Sequence, residues 1–269
     1  MEVTPPIPLR EVLAVVFTVA TVCYNDRQGL EKTSRSVLSQ SFPGFEWLVV
    51  DGGSTDGTVD LLQSFPVTSV RFVSEPDRGL YDAMNKALCM ARGRYIIFMN
   101  AGDTFFDLDV LSNVAKSLGD STPVLLYGDA LESDGKSTFY KKARKPEHNR
   151  YVMFTHHQAQ FYRTDIARSV GYDLSYQYSC DWVLTTRLLR KDPRPLRFAG
   201  PVCVFARGGL SQQDRTRRVF NRELYRVYRE EQSHPFAMAA AYWVIKVGIN
   251  KARTLVPALY DRLRYGSSR

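Results

Sequence analysis

Apolar residues crowd positions 15–24, 46–51, 70–75 and 95–99, each run short enough to be a buried strand. Between them lie stretches of helical periodicity, at 30–40, about 55–65 and about 81–91. The last sets Leu80, Met84, Ala87, Leu88 and Ala91 on one apolar face. Strand and helix alternating in this way predicts an α/β fold, a mostly parallel sheet with helices on both faces. Ligands of such sheets sit outside the carboxyl ends of the strands, where Asp51 and the turn Asn100–Asp103 both fall. The second half is less regular. Residues 125–129, 137–142 and 157–163 read as strands and 182–191 as a helix. After "RFAGPVCVFARGGLS", helix-like stretches run from about Asp214 to Glu231 and again beyond Pro235.

Charge changes this picture at one end only. The chain has 269 residues and a net charge of +8. Residues 1–206 hold 23 Lys/Arg against 23 Asp/Glu, whereas residues 207–269 hold 13 against 5, so the whole excess lies in the tail. This divides the chain into a neutral body, 1–206, and a basic helical extension, 207–269. Arg215, Arg218, Arg222, Arg226 and Arg229 recur there at helical spacing, which suits an anionic lipid surface or a solvated face. The apolar stretch from Phe236 ends at Lys246, too early to span a bilayer; it lies on a membrane, on the body or against a second subunit of a homo-oligomer. No nucleic-acid motif accompanies the charge, so nucleic acid is not an expected partner. Cys23, Cys89, Cys180 and Cys203 are scattered without C-x-x-C spacing, which argues against a zinc site or disulfide framework and for a reducing compartment. The apolar run 12–23 follows acidic residues and reads as a first strand rather than a signal peptide.

Several polar residues interrupt buried runs where chemistry is expected. In "VVDGGSTDGT", a carboxylate at Asp51 suits the imide N–H of a pyrimidine base, and the glycines admit a nucleotide; a turn with Ser54 or Thr55 capping the next helix is compatible with this. Asp82 and Asn85 share a helix face. The strand 95–99 runs into Asn100 and Asp103, which need water, a partner or a metal; a cap on the following helix is the alternative for Asp103. In "THHQAQFYR" an extended chain points His156 and His157 to opposite faces, so at most one enters the crevice. Asp181, in "SCDW", is an N-cap or a general base. Neither G-x-G-x-x-G nor a P-loop is present.

Taken together, "TVCYND", "SVLSQSFPGFEWLVVDGGSTDGT", "EPDRGLYDAMNKAL", "ARGRYIIFMNAGD" and "CDW" resemble the inverting family 2 glycosyltransferases of the GT-A fold, and within them the bacterial branch that builds polysaccharides and glycolipids. The resemblance spans roughly residues 15–210. It implies that Val22, Tyr24 and Asn25 line the base and ribose, that Asp51 reads the base, and that Arg78, Gly79 and Asp82 meet the nucleotide and donor sugar. Asn100, Ala101 and Asp103 fall on the family's D-x-D metal motif, from which this chain departs, since only Asp103 is acidic. The resemblance implies Asp103 as ligand of Mn²⁺ or Mg²⁺, His157 and Arg207 near the acceptor or diphosphate, and Asp181 as general base, preceded by Cys180 where the family usually has an acidic residue. The expected donor is a nucleotide sugar, UDP-linked first, and the acceptor a saccharide or a lipid-linked one, at the cytoplasmic face of the cell membrane. Two other classes compete: a sugar-1-phosphate nucleotidyltransferase, which would want a Gly-rich loop after the first strand, and a non-catalytic module binding sugar nucleotide or membrane.

Overall fold

The structure, a computed structural model, describes residues 15–206 and 217–255. Four parallel strands form its first half: β1 (Phe17–Cys23), β2 (Phe45–Asp51), β3 (Arg71–Ser74) and β4 (Tyr95–Phe98), in the order β3-β2-β1-β4. Helices α1 (Arg27–Leu38), α2 (Thr58–Ser64) and α3 (Leu80–Met90) make the crossovers. The chain leaves β1 in one direction through β2 and β3, then returns past β1 to lay down β4. The switch point therefore lies between β1 and β4, which is where a doubly wound sheet opens a crevice. Alternation along the strands splits the core. Ala20, Leu48 and Ile96 face a cluster with α3, and Val19, Val49 and Ile97 face the opposite one with Leu30 of α1. Gly93 lets β4 start flush against β1, because a Cβ there would stand 2.4 Å from the Thr18 nitrogen and 2.5 Å from the Phe17 carbonyl carbon.

Beyond β4 the sheet mixes directions. A two-residue β5 (Thr104–Phe105) leads to α4 (Val110–Leu118), followed by β6 (Leu125–Ser133), β7 (Thr138–Lys141), β8 (Gln160–Arg163), α5 (Thr164–Val170), α6 (Cys180–Lys191) and β9 (Leu196–Ala206). The order continues β4-β8-β6-β9-β5, with β7 on β6; β8 is antiparallel to β4 and β6, and β9 is parallel to β6. Four elements go beyond the sequence reading: β5, α4, α5 and β9. The expected strand 157–163 starts only at Gln160, because His157–Ala159 is a 3₁₀ turn. Helix α2 starts at Thr58 behind Gly57, and Asp56 accepts from the Thr58 amide (3.1 Å) and hydroxyl (2.6 Å); neither Ser54 nor Thr55 caps it.

The tail is seated on the body. Helix α7 (Arg217–Arg226) runs into a π-helical turn, Val227–Glu231, and after a bend α8 (Phe236–Leu255) follows. Leu224, Val227, Tyr228 and Ala239 belong to the same core cluster as Phe154, Trp182 and Leu184. Burying four such side chains is worth roughly 1.5–3 kcal/mol for each of the larger ones. Phe236, Met238, Val244, Ile245 and Ile249 remain exposed on α8. Among the described residues no helix is long and apolar enough to cross a membrane.

Candidate functional site

The turn after β4 is built by its sequence and clamped from α1. Asn100-Ala101-Gly102-Asp103 closes with the Asp103 amide donating to the Asn100 carbonyl (3.0 Å). Gly102 has φ +91°, the left-handed value that the third residue of a type II turn requires. Thr33, fully buried on α1, donates its hydroxyl to the Asp103 carbonyl (2.7 Å) and accepts from the Gly102 amide (3.0 Å). Ala101 donates to the Val22 carbonyl (3.2 Å), tying the turn to the end of β1. Asp103 caps no helix, since Asp109 occupies the N-cap of α4. Its buried carboxylate instead accepts from Gln158 Nε2 (3.1 Å).

His157 joins this turn to α6. Its Nδ1 lies 3.5 Å from an Asp181 oxygen, and its Nε2 lies 3.5 Å from Asn100 Nδ2. Asp181 is not the N-cap of α6; Ser179 holds that position. Asp181 sits in the first turn, where unpaired amides favour a carboxylate, and accepts from the Trp182 amide (2.9 Å). His156 points elsewhere, into a buried cluster with Glu132 (3.2 Å) and Lys141 against the Phe205 ring. Burial first, then the Lys141 charge, pushes its pKa down to about 3, so this imidazole is neutral. The two histidines do part company, through a 3₁₀ turn rather than strand alternation.

Other expected residues have different tasks in this conformation. Val22 has the inward parity of Ala20, so its side chain packs in the core while its carbonyl, which accepts from the Ala101 amide, lies at the crevice. Asp51 is held by the turn that follows it. It is completely buried and accepts from the Gly53 amide (3.2 Å), the Ser54 amide (2.9 Å), the Ser54 hydroxyl and the Ser74 hydroxyl (2.6 Å). A base could meet this carboxylate only after the Ser54 hydroxyl had turned away. Asn25, at φ +48°, links the two loops: its amide donates to Ser54 Oγ (2.7 Å) and its side-chain oxygen accepts from the Thr55 amide (2.8 Å). Tyr24 beside it is 65% exposed, an open aromatic face at the rim of the crevice. Gly79 precedes α3, and the Arg78 guanidinium lies 3.0 Å from Asp82, holding that carboxyl below its usual range. Asn85 is spent on Tyr172, donating to its carbonyl (2.9 Å) and accepting from its amide (2.8 Å). Arg207 lies outside the described residues.

The donor set near Asn100 bears on a cation. Among the described residues no group of three or more His, Cys, Asp or Glu could hold a metal. The buried side-chain oxygens of Asn100 and Gln158 nevertheless have no hydrogen-bond partner, and both belong to side chains that touch this site. One carboxylate and neutral amide oxygens suit a hard cation that keeps water and takes phosphate oxygens, as Mg²⁺ and Mn²⁺ do. Thr33 and Gln158 were missed by the sequence reading. Gln158 carried one signal, its place beside His157, whereas a threonine inside a helix carries none.

Known proteins resemble the chain in both sequence and fold. The profile described as Glycosyl transferase family 2 matches residues 18–191. A Mycobacterium tuberculosis protein named PGL/p-HBAD biosynthesis glycosyltransferase is 32% identical over 207 residues, 74% of this chain and 80% of that one. The fold is similar to that of S. aureus TarS in complex with UDP-GlcNAc (TM-score 0.64, 16% identity, 93% of this chain and 78% of that one). It is equally similar to the mannosyltransferase PcManGT from Pyrobaculum calidifontis in complex with GDP-Man and Mn²⁺ (TM-score 0.64, 22% identity, 94% and 76%).

Proposed function

The chain belongs to glycosyl transferase family 2, with the GT-A fold, and from that premise we propose that it moves a sugar, with inversion, from a nucleotide diphosphate donor to a hydroxyl group in bacterial glycan or glycolipid synthesis. The observation that carries the reading is His157, which lies within 3.5 Å of both Asp181 and Asn100 and so brings a carboxylate and the Asn100–Asp103 turn into one crevice. Asp181 takes the proton of the acceptor hydroxyl as that oxygen bonds to the anomeric carbon. The bond from that carbon to the diphosphate breaks on the opposite face, and the nucleoside diphosphate leaves with the electron pair. Asp103 and Asn100 would hold Mn²⁺ or Mg²⁺, which when bound neutralises charge on the leaving diphosphate. Tyr24 and Asn25 flank the base and ribose, Arg78 and Asp82 the donor sugar. The TarS and PcManGT complexes, equal in fold similarity, support a nucleotide-sugar donor; a UDP-sugar is the first choice because a carboxylate at Asp51 suits the imide N–H of a pyrimidine.

The acceptor is a saccharide, free or lipid-linked, met at the inner face of the cell membrane. The α8 face supports the second form: its sequence contains Lys246, Lys251 and Arg253 but no acidic residue, beside the exposed Phe236, Val244 and Ile245. Asp181→Asn is the test. Its side-chain oxygen can still accept from the Trp182 amide, so the fold and donor binding should persist while kcat falls roughly 10² to 10⁴-fold. Turnover close to wild type would remove Asp181 from the mechanism.

A further inference from the structure

The loop that delivers Asp181 is held from the tail. Between α5 and α6, residues 171–179 have no regular secondary structure. Glu223 of α7, only 4% exposed, accepts from two consecutive amides of this loop, Gln177 (2.5 Å) and Tyr178 (3.0 Å). Arg226, one turn on, donates to the Ser175 carbonyl (3.1 Å) and lies 4.2 Å over the Tyr176 ring. The Tyr176 hydroxyl donates to Glu230 (3.2 Å). Arg187 of α6 bridges Asp173 (2.8 Å) and Glu231 (2.6 Å). Ser179, the N-cap of α6, makes no side-chain cap bond, which leaves the start of this helix to the Cys180 thiol, donating to the Tyr176 carbonyl (2.9 Å), and to contacts from outside. Glu223 supplies from outside the constraint that a cap would have supplied from within.

We infer that Glu223 is a positioning residue for Asp181, and that α7 with its π turn is a working part of the catalytic site. This rests on the reading of Asp181 as the general base. A buried carboxylate that fixes the amides three and four residues before Asp181 sets where α6 begins, and hence where the carboxylate of its first turn projects. Glutamine at 223 keeps the shape, but offers one carbonyl for two amides and turns an N–H₂ toward the other. The Trp243 indole, donating to the Asn221 carbonyl (2.7 Å), seats α8 on the same helix, so whatever engages α8 bears on the clamp.

The test uses the full chain with Mn²⁺ and a panel of UDP-glucose, UDP-galactose, UDP-GlcNAc and GDP-mannose, following release of nucleoside diphosphate on the fastest of them. Glu223→Gln, Asp181→Asn and the double variant are compared with wild type, with melting temperatures alongside. A base displaced by about an ångström costs up to roughly 10² in rate. Glu223→Gln should therefore lower kcat about tenfold or more, leave the donor KM within about twofold, and add nothing in the Asp181→Asn background. Glu223→Asp, which keeps the charge, should restore part of the loss. Should Glu223→Gln prove too unstable to assay, Arg226→Met removes the Ser175 contact from a less buried position and should show the same split in smaller measure. A melting temperature that drops while kcat holds would reduce Glu223 to a fold-keeping role. An undiminished loss on top of Asp181→Asn would show that it acts elsewhere. Full turnover of Asp181→Asn alone would instead overturn the general-base reading, a failure distinct from these two.

Discussion

The Asn100–Asp103 turn should loosen if Thr33 loses its oxygen, because one buried hydroxyl on α1 both donates to it and accepts from it. Thr33→Val keeps the branched shape and costs little in helix propensity. It removes the donor to the Asp103 carbonyl (2.7 Å) and the acceptor of the Gly102 amide (3.0 Å). Each partner left unpaired costs about 1–3 kcal/mol when water cannot reach it. Gly102 is only half-buried, so water recovers part of its share, and the total comes to about 2–4 kcal/mol. A domain of this size should then melt roughly 5–10 °C lower. Thr33→Ser keeps the hydroxyl and should lose only about 1 kcal/mol for the missing methyl. Thermal unfolding of the three proteins, with and without UDP and Mn²⁺, gives both readouts. The valine variant should lose stability and also most of the Mn²⁺-dependent stabilisation by UDP, as the Asp103 carboxylate is no longer held toward the crevice. Equal melting temperatures for valine and serine variants, with the Mn²⁺ effect intact in both, would refute the clamp.

Asp103→Asn should weaken Mn²⁺-dependent UDP binding and turnover together, and full wild-type activity in EDTA would show that the turn works without metal. Binding to vesicles containing an anionic lipid should fall in Val244→Glu/Ile245→Glu and in Arg218→Glu/Arg222→Glu, the second effect fading in high salt; unchanged binding in both pairs would leave α8 to packing or to a second subunit. His156 is neutral in the fold with its pKa at about 3, against about 6.5 when unfolded, so its contribution to stability is complete above pH 6.5 and is lost as pH falls toward 3. His156→Gln should flatten that slope by up to about 1.4 kcal/mol per pH unit, and an unaltered acid limb in urea titrations would show that other groups cause it.

What the sequence disclosed depended on whether a residue's task was local. β1, β2 and β4 were legible because strands buried on both faces are continuous apolar runs, and their carboxyl ends located the crevice. β9 was not, since Arg197, Gly200 and Pro201 break its pattern and pairing with β6 and β5 keeps it extended. α5 is seven residues long and leaves β8 without a loop, so nothing marks its start. In the site, Asp103, His157 and Asp181 stood out as polar residues at the ends of elements. Thr33 could not, because its value comes from a turn about seventy residues later. The same holds for Ser74, whose hydroxyl donates to the Asp51 carboxylate, and for Glu223, whose two amide partners lie more than forty residues earlier.

The π turn at Val227–Glu231 marks where the tail can change its length by one residue. Each of its turns holds one residue more than an α-helix would, and the Gln232 amide reaches back five positions to Val227 (2.8 Å). Removing one residue there would let the segment relax into a plain α-helix with its two flanks close to their present orientation, because the extra residue is taken up inside the turn. The bend that follows separates the turn from α8, so Trp243 could keep the Asn221 carbonyl and Ala239 its place in the core. Relatives that share the clamp can therefore carry this segment with or without the extra residue, and loss of one residue should be tolerated better here than within α6 or α7.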